Sequence, residues 1–217
     1  MIHSMKSILC FGDSNTWGYV PLSGGRYQTS IRWTSLLAKQ LPQGWQVIEE
    51  GLPGRTTGFH QSIHNPQSGL GDFLSCLDKY QPNIVIIMLG TNDLQSQLNL
   101  TAAEISQGAA QLVKQALHNT KPASPSEHVL LVCPPPIYEV GFAQTGFEGG
   151  AEKSQQLDKH YQVRAAELDV RYFNAALAAE SSPQEGIHWH AEHHHRFADA
   201  IAKPVLDMIN KQSKFTL

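Results

Sequence analysis

Residues 84–93 read IVIIMLGTND. The run from Ile84 to Leu89 is apolar throughout and presents no polar face to water. Such a run suits a parallel strand covered on both sides better than a half-exposed antiparallel one. Gly90-Thr91-Asn92-Asp93 then ends it in a small polar turn. Four further apolar runs read as strands: Ser7–Phe11 and Gln46–Glu50 before it, His128–Cys133 and Arg171–Ala175 after it.

Helical patterns fall between the strands. Trp33, Leu36, Leu37 and Leu41 recur at helical spacing, as do Leu70, Phe73, Leu74 and Leu77. Thr101 and Glu104 form a capping box, and Ile105, Ala109, Leu112, Val113 and Ala116 continue that helix's apolar face. One helix is expected between Gly150 and Leu168. Another should follow His193, with Phe197, Ile201, Val205 and Ile209 on one side and a kink or break at Pro204. Strand alternating with helix predicts an α/β fold, a doubly wound three-layer α/β/α sandwich. No repeat or linker divides the chain, so residues 1–217 are read as a single domain. Pro134–Gly150 is the longest irregular stretch, and loops that long in compact domains are often functional.

Apolar residues make up 41% of the chain and charged residues 16%, which is a globular rather than a disordered composition. A net charge of −3 offers no electrostatic footprint for nucleic acid. Cys10, Cys76 and Cys133 are odd in number and widely spaced, which favours reduced, buried thiols over a disulfide framework. The segment Met1–Lys6 is short and polar, no stretch has the length of a membrane span, and a cytoplasmic location is expected.

The chemistry gathers just after the strands. Gly12-Asp13-Ser14-Asn15 follows the first, Gly51–Thr57 the second, Gly90–Asp93 the third, and Glu185-Gly186-Ile187-His188 the fifth at some distance. Ligands of open parallel sheets bind outside the carboxyl ends of the strands, so these turns converge on one site. Acyl transfer needs a nucleophile, a base and donors for an oxyanion. Ser14 offers the hydroxyl and His188 the base. The backbone N–H groups of Ser14 and Gly54 and the Asn92 side-chain amide offer the donors.

The blocks FGDSNTWG, GLPGRTT, GTND and GIHW, in that order, resemble the four signature blocks of the SGNH, or GDSL, hydrolase family. RWTSLLAKQL, VIEEGLPGRTT, VIIMLGTND, VCPPPI and FEGGAEKS are similar to its arylesterase/acyltransferase branch. The resemblance implies a flavodoxin-like five-stranded parallel sheet of order 2-1-3-4-5. It implies a serine esterase of small short-acyl, aryl or alkyl esters, with acyltransferase activity, no cofactor and no metal. It further implies Ser14 as nucleophile, His188 as base, and an oxyanion hole of Ser14, Gly54 and Asn92. A homo-oligomer with no nucleic-acid or membrane partner is expected. The family usually has Asp three residues before the catalytic histidine, where this chain has Glu185. Glu185 in that register is the candidate triad acid.

Several residues carry plainer readings. Asp13 is expected to be a turn residue whose carboxylate holds backbone N–H groups, and Asp93 to cap the turn after it. Five histidines fall within His188–His195, but their spacing matches no HExxH motif, and His193–His195 are expected to open an exposed helix. Trp33 is expected in the core. Trp17, near Ser14, is the better candidate for a substrate pocket, with Phe142 and Phe147 as further ones. Arg55 has two open roles, pairing with a carboxylate or fixing its loop. Three rival functions remain: carbohydrate O-deacetylation on the same fold, a flavodoxin-like phosphate or nucleotide module, and a metal-dependent hydrolase built on the histidine cluster, which activity surviving a chelator would exclude. The chain lacks GxxxxGK[ST] and GxGxxG, which counts against the second.

Overall fold

The computed structural model describes residues 5–59, 68–120 and 124–214. Five strands, β1 (Lys6–Gly12), β2 (Trp45–Gly51), β3 (Ile84–Met88), β4 (Val129–Cys133) and β5 (Arg171–Asn174), form one sheet in the order β2-β1-β3-β4-β5. Every pairing is parallel. Gly12 pairs with Gly51 on one side and with Met88 on the other, so the ends of β2, β1 and β3 are level. The chain leaves β1 toward β2 and returns to the opposite side as β3, which makes the β1/β3 edge the topological switch point.

Side chains alternate along the strands and define two cores. Leu9, Phe11, Val85, Ile87, Val129 and Leu131 pack with residues of α3 (Gly69–Tyr80), α4 (Ala102–Thr120) and α6 (Leu157–Glu167). Ile8, Cys10, Ile84, Ile86, Met88, Leu130 and Val132 pack with residues of α2 (Trp33–Ala38) and α7 (Ala191–Lys214). Each fully buried Leu, Ile or Val contributes roughly 1.5–3 kcal/mol relative to exposure. That two-sided burial accounts for the unbroken apolar run in β3. Trp33 is fully buried in the second core, and the three cysteines are free and buried. Among the described residues no helix is long and apolar enough to cross a membrane.

The capping box forms as expected: Thr101 N–H donates to Glu104 Oε2 at 2.8 Å, and Glu104 N–H to Thr101 Oγ1 at 3.2 Å. Three details differ from expectation. The helix between Gly150 and Leu168 is two, α5 (Gly150–Ser154) and α6, because Ser154 Oγ donates back to Ala151 O and accepts from Ile137 N–H. Of the kink or break expected at Pro204, the break is absent: α7 runs on through it. Leu74 is half-exposed and lies outside the α3 face that packs on the sheet.

Candidate active site

The turn after β1 is a single helical turn, α1 (Ser14–Trp17), and Asp13 accepts the Asn15 N–H at 3.0 Å. It lies so close to the end of β2 that a Cβ on Gly51 would stand 2.2 Å from Trp17 N. Only glycine admits that approach. The buried Ser14 Oγ lies 2.9 Å from His188 Nε2.

His188 comes from the loop between β5 and α7. Ser182 N–H donates to His188 O at 2.9 Å, and Tyr138 N–H donates to Gly186 O at 2.9 Å. Gly186 has φ +101°, and a Cβ there would meet Tyr138 O at 2.3 Å. This left-handed residue turns the chain so that Glu185 faces back to His188. Glu185 Oε1 lies 2.6 Å from His188 Nδ1, and Oε2 accepts the backbone N–H groups of Ile187 and His188 at 3.2 and 2.8 Å. Burial pushes the Glu185 carboxyl up. The His188 ring bond and charge and the two backbone donors outweigh it, and the net shift is downward. Glu185 therefore stays ionised beside the imidazole.

A cavity of about 440 Å³ is lined by Ser14, Tyr19, Gly54, Asn92, Phe142, Phe147 and His188, with Gln95, Ser96 and Gln97 also in its wall. Ser14, His188, Gly54 and Asn92, the nucleophile, base and oxyanion donors expected from the sequence, all border this cavity, and Glu185 sits behind His188. The long Pro134–Gly150 stretch supplies the two phenylalanines. Asn92 Nδ2 donates to Arg55 O at 3.0 Å, which fixes the amide and leaves its second N–H for another acceptor. Arg55 fills both open roles. Its Nη1 donates to Gly12 O and Glu50 O, its Nη2 pairs with Asp72, and its guanidinium stacks 4.1 Å from the Phe11 ring. The turn bearing Gly54 is thus bolted to the ends of β1 and β2.

Asp93 reaches beyond its own turn. It accepts Thr57 N–H at 3.0 and 3.1 Å and Thr57 Oγ1–H at 2.5 Å, joining the turn after β3 to the one after β2. Burial raises both Asp93 and Asp13 to about 6, against the lowering effect of the donors around them. Two other residues were not legible as site residues. Tyr19 stacks on the His188 ring with centroids 3.9 Å apart and planes 23° apart. Asn15 bonds the loop on either side of His188. Trp17 does not line the cavity and lies instead beneath the Arg26 guanidinium, 5.0 Å away. Gly18 reverses the chain at φ +89°, and the aromatic ring that reaches the site is Tyr19.

The remaining histidines scatter. His193 and His194 are buried, contrary to the exposed helix start expected. His194 packs between Tyr27 and Trp189, and burial lowers its pKa to about 3. Among the described residues no group of three or more His, Cys, Asp or Glu is arranged to hold a metal ion.

The model of the GDSL-like lipase/acylhydrolase family matches residues 10–196. A carbohydrate acetylesterase from Sinorhizobium meliloti has a similar structure, with TM-score 0.85 and 35% identity over 94% of this chain and 99% of that one. So does the native aryl esterase of M. smegmatis, with TM-score 0.85 and 36% identity over 94% and 99%. A lipase/acylhydrolase from Enterococcus faecalis, 20% identical over 93% and 95% with TM-score 0.66, shares the fold. No curated protein matches the chain.

Proposed function

The chain belongs to the GDSL-like lipase/acylhydrolase family and is a carboxylic ester hydrolase, and from that premise we propose that it cleaves small esters through an acyl-enzyme on Ser14. The observation that carries this reading is the unbroken relay from Ser14 Oγ to His188 Nε2, 2.9 Å, and from His188 Nδ1 to Glu185 Oε1, 2.6 Å. His188 takes the Ser14 proton as Oγ bonds to the ester carbonyl carbon. Glu185 keeps the imidazole in the tautomer with Nδ1–H and stabilises the imidazolium. The N–H groups of Ser14 and Gly54 and the second Asn92 N–H meet the oxyanion. The C–O bond to the alcohol breaks, and the imidazolium returns the proton to the departing oxygen. Water, or a second alcohol, then attacks the acyl-Ser14 by the same route in reverse. The protein groups present account for each step without a cofactor.

A short acyl group and a small aryl or alkyl alcohol are in keeping with the likeness to an aryl esterase and with the flat apolar contact that Tyr19, Phe142 and Phe147 offer. Turnover of p-nitrophenyl esters of increasing acyl length tests this. kcat/KM should be highest for the shortest acyl chains and fall steeply beyond them. A rising profile toward long chains would contradict the reading.

A second reading, sugar deacetylation, is favoured by Gln95, Ser96 and Gln97 in the cavity wall and by the likeness to a carbohydrate acetylesterase. Acetylated sugars in the same panel separate the two. The phosphate-module reading has no support from a site surrounded by the carboxyls of Asp13, Asp93 and Glu185.

A further inference from the structure

Asn15 stands one peptide bond from Ser14, and its side chain reaches a loop more than 170 residues away in the chain. Its Nδ2 donates to Ile187 O at 3.3 Å, and its Oδ1 accepts Trp189 N–H at 3.1 Å. Those two partners flank His188. Ile187 offers a carbonyl and Trp189 an N–H, so only one orientation of the amide satisfies both. Asn15 is buried, as are Ile187 and Trp189, so water does not compete for these bonds.

We propose that Asn15 is a positioning residue that sets the register between Ser14 and His188, by gripping the base loop on both sides of the histidine from the residue next to the nucleophile. The inference rests on the acyl-enzyme reading of Ser14.

The physical reason is a division of constraint. Glu185 fixes the rotation of the ring within its own loop, three residues away, but does nothing to fix that loop relative to β1. Ser182 and Tyr138 tie the loop to its own neighbours on the β4 and β5 side. Asn15 is the side chain that ties the two peptide units flanking His188 to the turn of the nucleophile. The Ser14–His188 hydrogen bond and the Tyr19 stack both act on the imidazole ring, and neither bonds the backbone on either side of it. The two Asn15 bonds do, from a residue rigidly linked to Ser14. A misplacement of about 1 Å between reacting groups can cost on the order of 10²-fold in rate.

Two substitutions test this. Asn15→Leu keeps the γ-branched shape, with two methyl groups in place of the amide oxygen and nitrogen, and removes both bonds. Asn15→Asp keeps an acceptor for Trp189 N–H but sets an oxygen against Ile187 O until the carboxyl is protonated, when its O–H can donate there. Steady-state kinetics on p-nitrophenyl acetate and labelling of Ser14 by a fluorophosphonate are measured, with far-UV circular dichroism to verify folding. The expected result for Asn15→Leu is a fall in kcat of roughly 10–100-fold with KM within about twofold, and a parallel fall in labelling rate. For Asn15→Asp the ratio of its kcat to the wild-type kcat should rise as pH falls. Asp13 and Glu185, which face the same turn and loop, are present in both proteins and are divided out to first order. A role confined to stability would lower the melting temperature without moving that ratio. Folded Asn15→Leu with kcat within about threefold of wild type overturns the inference. If Asn15→Leu does not fold, a ratio for Asn15→Asp that is flat with pH overturns it. Failure of the wild type to label at Ser14 would instead overturn the acyl-enzyme reading.

Discussion

Glu185 holds His188 at two points at once. Its Oε1 lies 2.6 Å from the ring Nδ1, while its Oε2 accepts the His188 backbone N–H at 2.8 Å. The extra methylene of glutamate lets one carboxylate serve both ring and turn.

Glu185→Gln retains the size and removes the charge. kcat should fall by about 10²–10⁴-fold near neutral pH, as expected when the imidazole loses its ionised partner. Glu185→Asp cannot span both contacts from the same backbone, so a loss of about tenfold or more is expected, with KM little changed. Kinetics of both variants check this, and a fully active Glu185→Gln enzyme would leave a Ser–His dyad.

The same carboxylate links stability to pH. Its folded pKa lies below the ordinary glutamate value of 4.5, so the folded state prefers the ionised form. The stability this contributes is present above the unfolded pKa and is lost as pH falls through the folded one. The melting-temperature gap between wild type and Glu185→Gln should therefore narrow as pH drops below 4.5. A gap that widens there would contradict the assignment.

Asn92→Ala should lower kcat by roughly 10²–10³-fold with a smaller effect on KM, because its free N–H matters most when charge develops on the carbonyl oxygen. Removing the amide also takes a partner from Arg55 O and should cost about 1 kcal/mol in denaturant unfolding. A change confined to KM would make Asn92 a substrate-binding residue only.

Asp93 behaves with the opposite sign to Glu185. Its folded pKa is raised from 3.8 to about 6, so between those values the folded state binds more protons than the unfolded one. Stability contributed by this group must then fall as pH rises across that window and level off above it. Asp93→Asn removes the titration and disturbs the bonds to Thr57, at a cost of about 1–3 kcal/mol. Wild-type stability minus variant stability should decline from about pH 4 to about pH 6, measured by chemical denaturation. A rise over that range would contradict the raised pKa.

The sheet was legible because burial on both faces leaves a compositional mark: β3 is apolar at every position and fully buried at every position. The gathering of Ser14, Gly54, Asn92 and His188 around one cavity was legible because four ordered sequence blocks, placed after strands, converge at the carboxyl edge of a parallel sheet. What escaped was set by partners distant in the chain. Nothing near Asp93 in sequence points to Thr57, and nothing near Asn15 points to Ile187 or Trp189. Tyr19 replaced Trp17 in the cavity because the reversal at Gly18 depends on a backbone angle that local sequence does not fix. The burial of His194 did have a signal. It lies three residues before Phe197 and seven before Ile201, on the apolar stripe of α7, and a run of histidines concealed that periodicity.

Covalent capture of the Ser14 side chain reads directly whether Ser14 carries the acyl group. The protein is treated with a fluorophosphonate, weighed intact and digested to map the adduct. One adduct per chain is expected on the peptide containing Gly12-Asp13-Ser14-Asn15, localised to Ser14, with loss of esterase activity in step with labelling. Folded Ser14→Ala protein should take up no label and lose on the order of 10³-fold or more in kcat. An adduct on another residue, or near-normal turnover by folded Ser14→Ala, would contradict Ser14 as the acyl carrier.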